Sequence, residues 1–185
     1  MPEQPLSEAS AALSFDAFRS TVLTDYRLAM LSREASLLGR REVLGGKAKF
    51  GIFGDGKEVA QVAMAKFFQP GDFRSGYYRD QTFMLAAGLT TVRELFAQLY
   101  ADPDPAHEPA SSGRQMNAHF STPFLDEKGD WLPLTQLKNV SADSSPTAGQ
   151  MTRALGLAFA SKSFREIPAL HTLIELSNQG NEVSG

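Results

Sequence analysis

No cysteine occurs anywhere in the 185 residues. That absence excludes a disulfide framework, a thiolate zinc site and cysteine nucleophilic catalysis, and it fits a reducing compartment. Long apolar runs are lacking too, since no stretch approaches the ~18 consecutive apolar residues that would span a membrane. The N-terminal "MPEQPLSEAS" is acidic, without the basic and apolar segments of a secretory signal. The expectation is a cytoplasmic chain with no membrane contact. An excess of positive charge is also missing. Net charge is −3 and the pI is near 5.6, so no basic field argues for nucleic acid. No G-x-S-x-G, P-loop or histidine pair at metal-ligand spacing is present.

What remains suits a packed, helix-rich chain. Hydrophobic residues make up 42% and 13 are phenylalanine, enough for a sizeable core over most of the length. Residues 1–13 read as a flexible leader, and residues 14–185 as one domain. From Phe15 to about Leu38, apolar residues recur at Phe15, Phe18, Val22, Tyr26, Ala29, Met30 and Leu37, a period near 3.6. This spacing predicts a long amphipathic helix with Ser14 as its N-cap. Gly45-Gly46 breaks it, and the basic "GRREVLGGKAK" reads as a solvated helix end and loop.

A second helix is predicted from about Lys57 to Phe68, with Val59, Val62, Ala63 and Phe67 on one face. A short helix follows "YYRD" with Gly88 just past its end. Thr91 and Glu94 form a capping box for the next, which runs to about Ala101. Residues 102–130 are rich in Pro, Gly and Ser, and a loop of this length is usually functional or mobile. Ser145 as N-cap and Pro146 at the first helical position open another helix, and a last one spans about Pro168 to Gln179. Strand signals are poor, apart from the beginning of one at Glu182-Val183-Ser184. The chain taken alone reads as mostly α.

Three constellations could carry chemistry. In "GYYRDQTF", Tyr78 and Arg79 offer a phenol and a five-donor guanidinium, suited to a multiply charged phosphate. The competing reading pairs Arg79 with Asp80. From Asp143 to Gln150, small residues before a helix leave free N–H groups for an anion or polar ring, and the oxygens of Ser144, Ser145 and Gln150 suit a hard monovalent cation. A well-capped helix explains the same residues. In "GRQMNAHF", Arg114 and His119 sit in the long loop, whereas His107 and His171 read as structural or surface residues.

Four segments in series then carry a resemblance. "GKEVAQVAMAKFFQPGDF", "YYRD", "GRQMNAH" and "SSPTAGQ" together resemble the thiamine diphosphate-dependent decarboxylase component, α-type, of 2-oxo acid dehydrogenase complexes, closest to the branched-chain type. Coverage runs from about Tyr26 to the end. The resemblance implies the N-terminal part of an α/β cofactor-binding fold, cut before most of its parallel sheet. It implies that Tyr78, Arg79, Ser145 and Thr147 contact the cofactor and that Phe50 and Arg114 border the substrate pocket. His119 is then the catalytic candidate, and Ser144, Pro146 and Gln150 would hold a potassium ion. Gly149 stands where the family usually has Thr, removing one potassium ligand.

The implied chemistry is loss of CO2 from a 2-oxo acid and passage of the acyl unit to a lipoyl-bearing acyltransferase. A β-type chain or fused β half, in an oligomer, is the implied partner. The Mg2+ ligands are expected beyond residue 185, so the chain alone is expected to be inactive. The rival reading is a non-catalytic helical interaction module. "FGDGKEVAQ" resembles a metal-binding G-D-G, but no strand precedes it and a helix starts at once, so Asp55 and Gly56 read as turn and cap.

Overall fold

The computed structural model describes residues 14–170. The leader, His171, most of the last predicted helix and the strand beginning at 182 lie outside the described residues. Helix α1 (Phe15–Leu44) starts at Ser14, whose hydroxyl accepts the Ala17 N–H at 3.2 Å. It runs about six residues past the sequence-based end, because the basic turn before Gly45 stays helical. Its buried face is not the predicted apolar stripe. Ser32, Ala35, Ser36 and Gly39 are buried, while Phe15, Phe18 and Tyr26 are exposed. Small residues permit close helix contact, and a Cβ at Gly39 would stand 2.3 Å from the Phe53 ring.

Helix α2 (Glu58–Ala65), strand β1 (Phe73–Tyr77), helix α3 (Gln81–Ala86) and helix α4 (Val92–Leu99) follow. Across α2 the stripe also rotates: Glu58, Gln61, Val62 and Ala65 are buried, and Val59 and Phe67 are exposed. The reason is polar. Glu58 chelates Arg33 of α1 at 2.6 and 3.0 Å and accepts the Gly56 N–H, while Gln61 reaches inward to Arg79 and Phe83 backbone. The Arg33 hydrogen bond, outweighing burial, lowers the Glu58 pKa to about 2. The α3–α1 contact is polar as well, with Gln81 donating to Ser36 Oγ at 2.6 Å and Ser32 and Thr82 sharing a bond of 2.6 Å. The Thr91–Glu94 capping box opens α4 as expected, and Gly88 follows α3 at φ +74°.

Strand β2 (Asn139–Ser144) pairs parallel with β1, and helix α5 (Gly149–Glu166) follows it. Neither strand was visible as an apolar alternation. Helices dominate, and the sheet among the described residues is this two-stranded parallel one, in keeping with a mostly α chain that carries part of an α/β fold. The core gathers between β2, α3 and α4, with Met84, Leu95 and Val140 fully buried and Phe68 edge-on to Phe83 at 5.2 Å. No helix among the described residues is long and apolar enough to cross a membrane.

Candidate functional site

Parallel pairing places the C-terminal ends of β1 and β2 on one edge, the usual ligand-binding edge of α/β sheets. The chain leaves β1 through Tyr78-Arg79 and leaves β2 through Ser145-Pro146-Thr147. The Tyr77 hydroxyl donates to that of Tyr78 at 2.7 Å and meets Thr147 Oγ1 at 3.1 Å, joining the two exits. Hydrogen bonding within this tyrosine pair, with desolvation behind it, raises the Tyr78 pKa.

A buried ion cluster fixes this edge. Arg74 on β1 donates to Asp143 on β2 at 2.9 Å and to Asp80 at 2.9 Å. Asp143 also accepts the Phe120 N–H at 3.1 Å, stitching the long loop to the sheet. Burial pushes the Asp143 carboxyl upward against the opposing pull of Arg74. Asp80 is therefore taken by Arg74, not Arg79. The Arg79 guanidinium is exposed, 5.5 Å from the Tyr78 ring, and no ion pair involves it among the described residues. Gly54 packs against the Arg79 backbone, where a Cβ would stand 2.2 Å from the carbonyl oxygen. Asp55 pairs with Arg40, in keeping with its reading as a turn residue.

The loop delivers His119. Glu108, 1% exposed, accepts from the backbone of Ala110, Ser111 and Gly113 and from the Ser111 hydroxyl, all at 2.6–2.9 Å. Gln98 on α4 donates to the His119 carbonyl at 2.7 Å and accepts the Ala118 N–H at 2.6 Å. His119 Nδ1 lies 3.2 Å from the Asn117 carbonyl and Nε2 lies 2.6 Å from Ser145 Oγ. A carbonyl only accepts, which assigns the proton to Nδ1 and makes Nε2 the acceptor of the Ser145 hydroxyl. The ring stacks 5.8 Å from Tyr78.

This contact corrects one expectation. Ser145 does not cap a helix; its hydroxyl is turned to His119, and α5 begins at Gly149 behind Ala148 in the left-handed region at φ 66°. A second non-glycine residue at positive φ, Ala118 at 61°, sits beside His119. Such backbone strain collects at functional sites.

A cavity of about 210 Å³ lies between these elements. Phe50, Ile52 and Met116 form its apolar wall, and Tyr78, Asn117, His119 and Ser145 its polar one. Of the residues picked from sequence, Phe50, Tyr78, His119 and Ser145 converge here. Thr147 joins through Tyr77, whereas Arg114 is exposed and outside the lining. Pro146 is exposed. Ser144 Oγ and Gln150 Oε1 are buried without a hydrogen-bond partner, while the Gln150 carbonyl accepts from Ser75 at 2.8 Å. Orphaned neutral oxygens of this kind fit a hard monovalent cation. Among the described residues no group of three or more His, Asp or Glu could hold a metal ion. Asn117, Glu108 and the Arg74–Asp143 pair were missed from sequence. A larger cleft of about 420 Å³, lined by Met64, Phe67 and Phe73 among others, contains none of the sequence-picked residues.

Among the described residues, a donor-rich edge at the ends of parallel strands, with the Arg79 guanidinium against the Tyr78 ring and in no ion pair, is chemically suited to an anion. The matching family makes that chemistry specific. The family model for the dehydrogenase E1 component matches residues 26–166, a span that includes all four motif segments. The chain belongs to this family, whose members are thiamine diphosphate-dependent components of 2-oxo acid dehydrogenases.

Proposed function

We propose that the chain is an α-type decarboxylase component of a 2-oxo acid dehydrogenase, related most closely to the branched-chain type. It acts in the cytoplasm with a β-type chain or β half and passes its acyl product to a lipoyl-bearing acyltransferase. Residues 14–185 belong to the cofactor-binding domain. The observation that carries this reading is the convergence of Tyr78, His119 and Ser145 on one cavity beside an Arg79 guanidinium with no carboxylate partner among the described residues.

The residues present fit the cofactor's anionic end. Arg79 offers paired N–H donors for diphosphate oxygens, and Tyr78 adds a phenol that stays protonated. Thr147 and the turn before α5 border the same edge. Ser144 and Gln150 offer oxygens to K+. The Mg2+ that accompanies the diphosphate would be held outside the described residues. Thiamine diphosphate, when bound, supplies the electron-accepting ring that makes loss of CO2 from a 2-oxo acid feasible. His119 holds its proton at Nδ1 and keeps Nε2 toward the cavity mouth, where it can accept a proton once the Ser145 hydroxyl turns away. Phe50 and Met116 offer an apolar wall to the substrate side.

Calorimetric titration of this chain, assembled with its β-type partner, with thiamine diphosphate and Mg2+ tests the reading. Saturable binding is expected, weakened in Arg79→Ala by about 1.5–3 kcal/mol, the range for hydrogen bonds to charged groups. An assembled protein that bound no cofactor would sink the proposal.

A further inference from the structure

Two buried glutamines stand behind the two halves of the site, each bonded to backbone through both ends of its amide. Gln61 on α2 donates to the Arg79 carbonyl at 2.9 Å and accepts the Phe83 N–H at 3.0 Å. Gln98 on α4, 2% exposed, donates to the His119 carbonyl at 2.7 Å and accepts the Ala118 N–H at 2.6 Å. The second pairing is the tighter constraint. Its two anchor points are separated by φ and ψ of Ala118 and of His119, so one planar amide restrains the four dihedrals that carry the imidazole.

Ala118 needs such a hold. It is wholly buried and sits at φ 61°, in the left-handed region that a residue with a Cβ adopts at a cost. No ladder supplies the hold, since residues 102–120 contain neither helix nor strand. Core packing does not explain the amide either. Leu95 and Leu99 of α4 are 1% and 5% exposed, and an unbranched apolar side chain at 98 would fill the same volume. A methionine there would lack both donor and acceptor, leaving the Ala118 N–H and the His119 carbonyl buried and unpaired.

The geometry points to Gln98 as a positioning residue: its carboxamide holds Ala118 in the left-handed conformation and so keeps the His119 ring at the cavity, with Nε2 on Ser145. The inference rests on the reading of the chain as a 2-oxo acid decarboxylase component in which His119 accepts a proton. It extends that reading from the site to the helix behind it. Asp143 holds the next residue, Phe120, to the sheet, so loss of the Gln98 amide displaces His119 without freeing the whole segment.

The test uses the chain assembled with its β-type part. Before cofactor is added, carbethoxylation by diethyl pyrocarbonate is followed at each histidine by mass spectrometry. His119 is 7% exposed with Nε2 engaged, whereas the His107 side chain, in the same segment, is 42% exposed and serves as the internal standard. In Gln98→Met, local opening should speed modification of His119 by about 10-fold and leave the His107 rate unchanged. With thiamine diphosphate and Mg2+ present, kcat for CO2 release from 3-methyl-2-oxobutanoate should fall by about 10- to 100-fold, the effect of a displaced acid–base group, while the thiamine diphosphate Kd stays within about twofold. Gln61→Met is the matched control, because it removes a buried amide that does not touch Ala118 or His119, and it should leave His119 modified at the parent rate. Gln98→Asn, its amide one methylene short of both partners, should move both readouts in the same direction and replaces Gln98→Met if that variant does not assemble. An unchanged His119 rate overturns the inference alone. So does an equal acceleration in Gln61→Met, or a fall in kcat matched by a weaker cofactor Kd. A parent assembly that releases no CO2 from this acid or from pyruvate overturns the reading beneath it as well.

Discussion

Helix α5 and the segment 102–120 invert the usual relation between regularity and burial. The helix is 18 residues of unbroken α-structure in which no residue is buried. The segment contains neither helix nor strand, yet it ends in four consecutive buried residues, Asn117 to Phe120. Its backbone polarity is satisfied by side chains, chiefly the Glu108 carboxylate and the Gln98 amide, which do for a loop what a hydrogen-bond ladder does for a helix. The site therefore stands on the irregular segment. The lesson is that carboxylates and carboxamides placed inside a loop can make it as fixed as a strand.

The strongest way to break this contrast is at the ion cluster that clamps the segment to the sheet. Arg74→Met leaves Asp143 and Asp80 without their counter-charge, and the expected loss is about 3–5 kcal/mol in denaturant unfolding. A loss below ~1 kcal/mol would show that the clamp is dispensable. Glu108→Gln should cost less, about 1.5–3 kcal/mol, since it weakens bonds to a charged acceptor. Faster amide exchange at Ala110, Ser111 and Gly113 would accompany it; unchanged exchange would contradict the role given to Glu108.

Acid sharpens the comparison at another carboxylate. Glu58 has a folded pKa of about 2, below its ordinary 4.5, so its contribution is complete above 4.5 and fades as pH falls from there toward 2. Urea midpoints measured between pH 2 and 6 should slope less in Glu58→Gln than in the parent chain. At the other extreme, Leu155→Ser on α5 should change stability by no more than about 0.5 kcal/mol, because Leu155 is 72% exposed. A larger cost would mean that α5 is covered in solution.

Local signals in the sequence were reliable at three of the single turns that decide the structure, and failed at Ser145, whose hydroxyl goes to His119 instead of a helix end. Ser14 caps α1, Thr91 and Glu94 box α4, and Gly88 ends α3, each by contacts within a few positions. The strands were illegible because their stability comes from pairing across a long separation. Ser141 bonds the Arg74 carbonyl 67 positions earlier, and both strands carry Arg, Asn, Ser or Asp where an apolar alternation would be sought. The buried faces of α1 and α2 were misread for a related cause: their partners select small and polar residues. At the site, Phe50, Tyr78, His119 and Ser145 were legible through motif order, and all four line one cavity. Asn117 was not, since an unpaired amide has no signature until its surroundings are known.

The tripeptide Gly54-Asp55-Gly56 contains two glycines that a catalogue of tolerated substitutions would treat alike and chemistry would separate. Gly54 lacks room, because any side chain there is driven into the carbonyl of Arg79. Gly56 has open space around it but holds φ +97°, a backbone suited to the opposite chirality. A D-alanine introduced at position 56 by chemical ligation would settle into the existing turn. No choice of handedness at position 56 bears on the lack of room at 54, where the backbone of Arg79 rests directly on a missing methyl group.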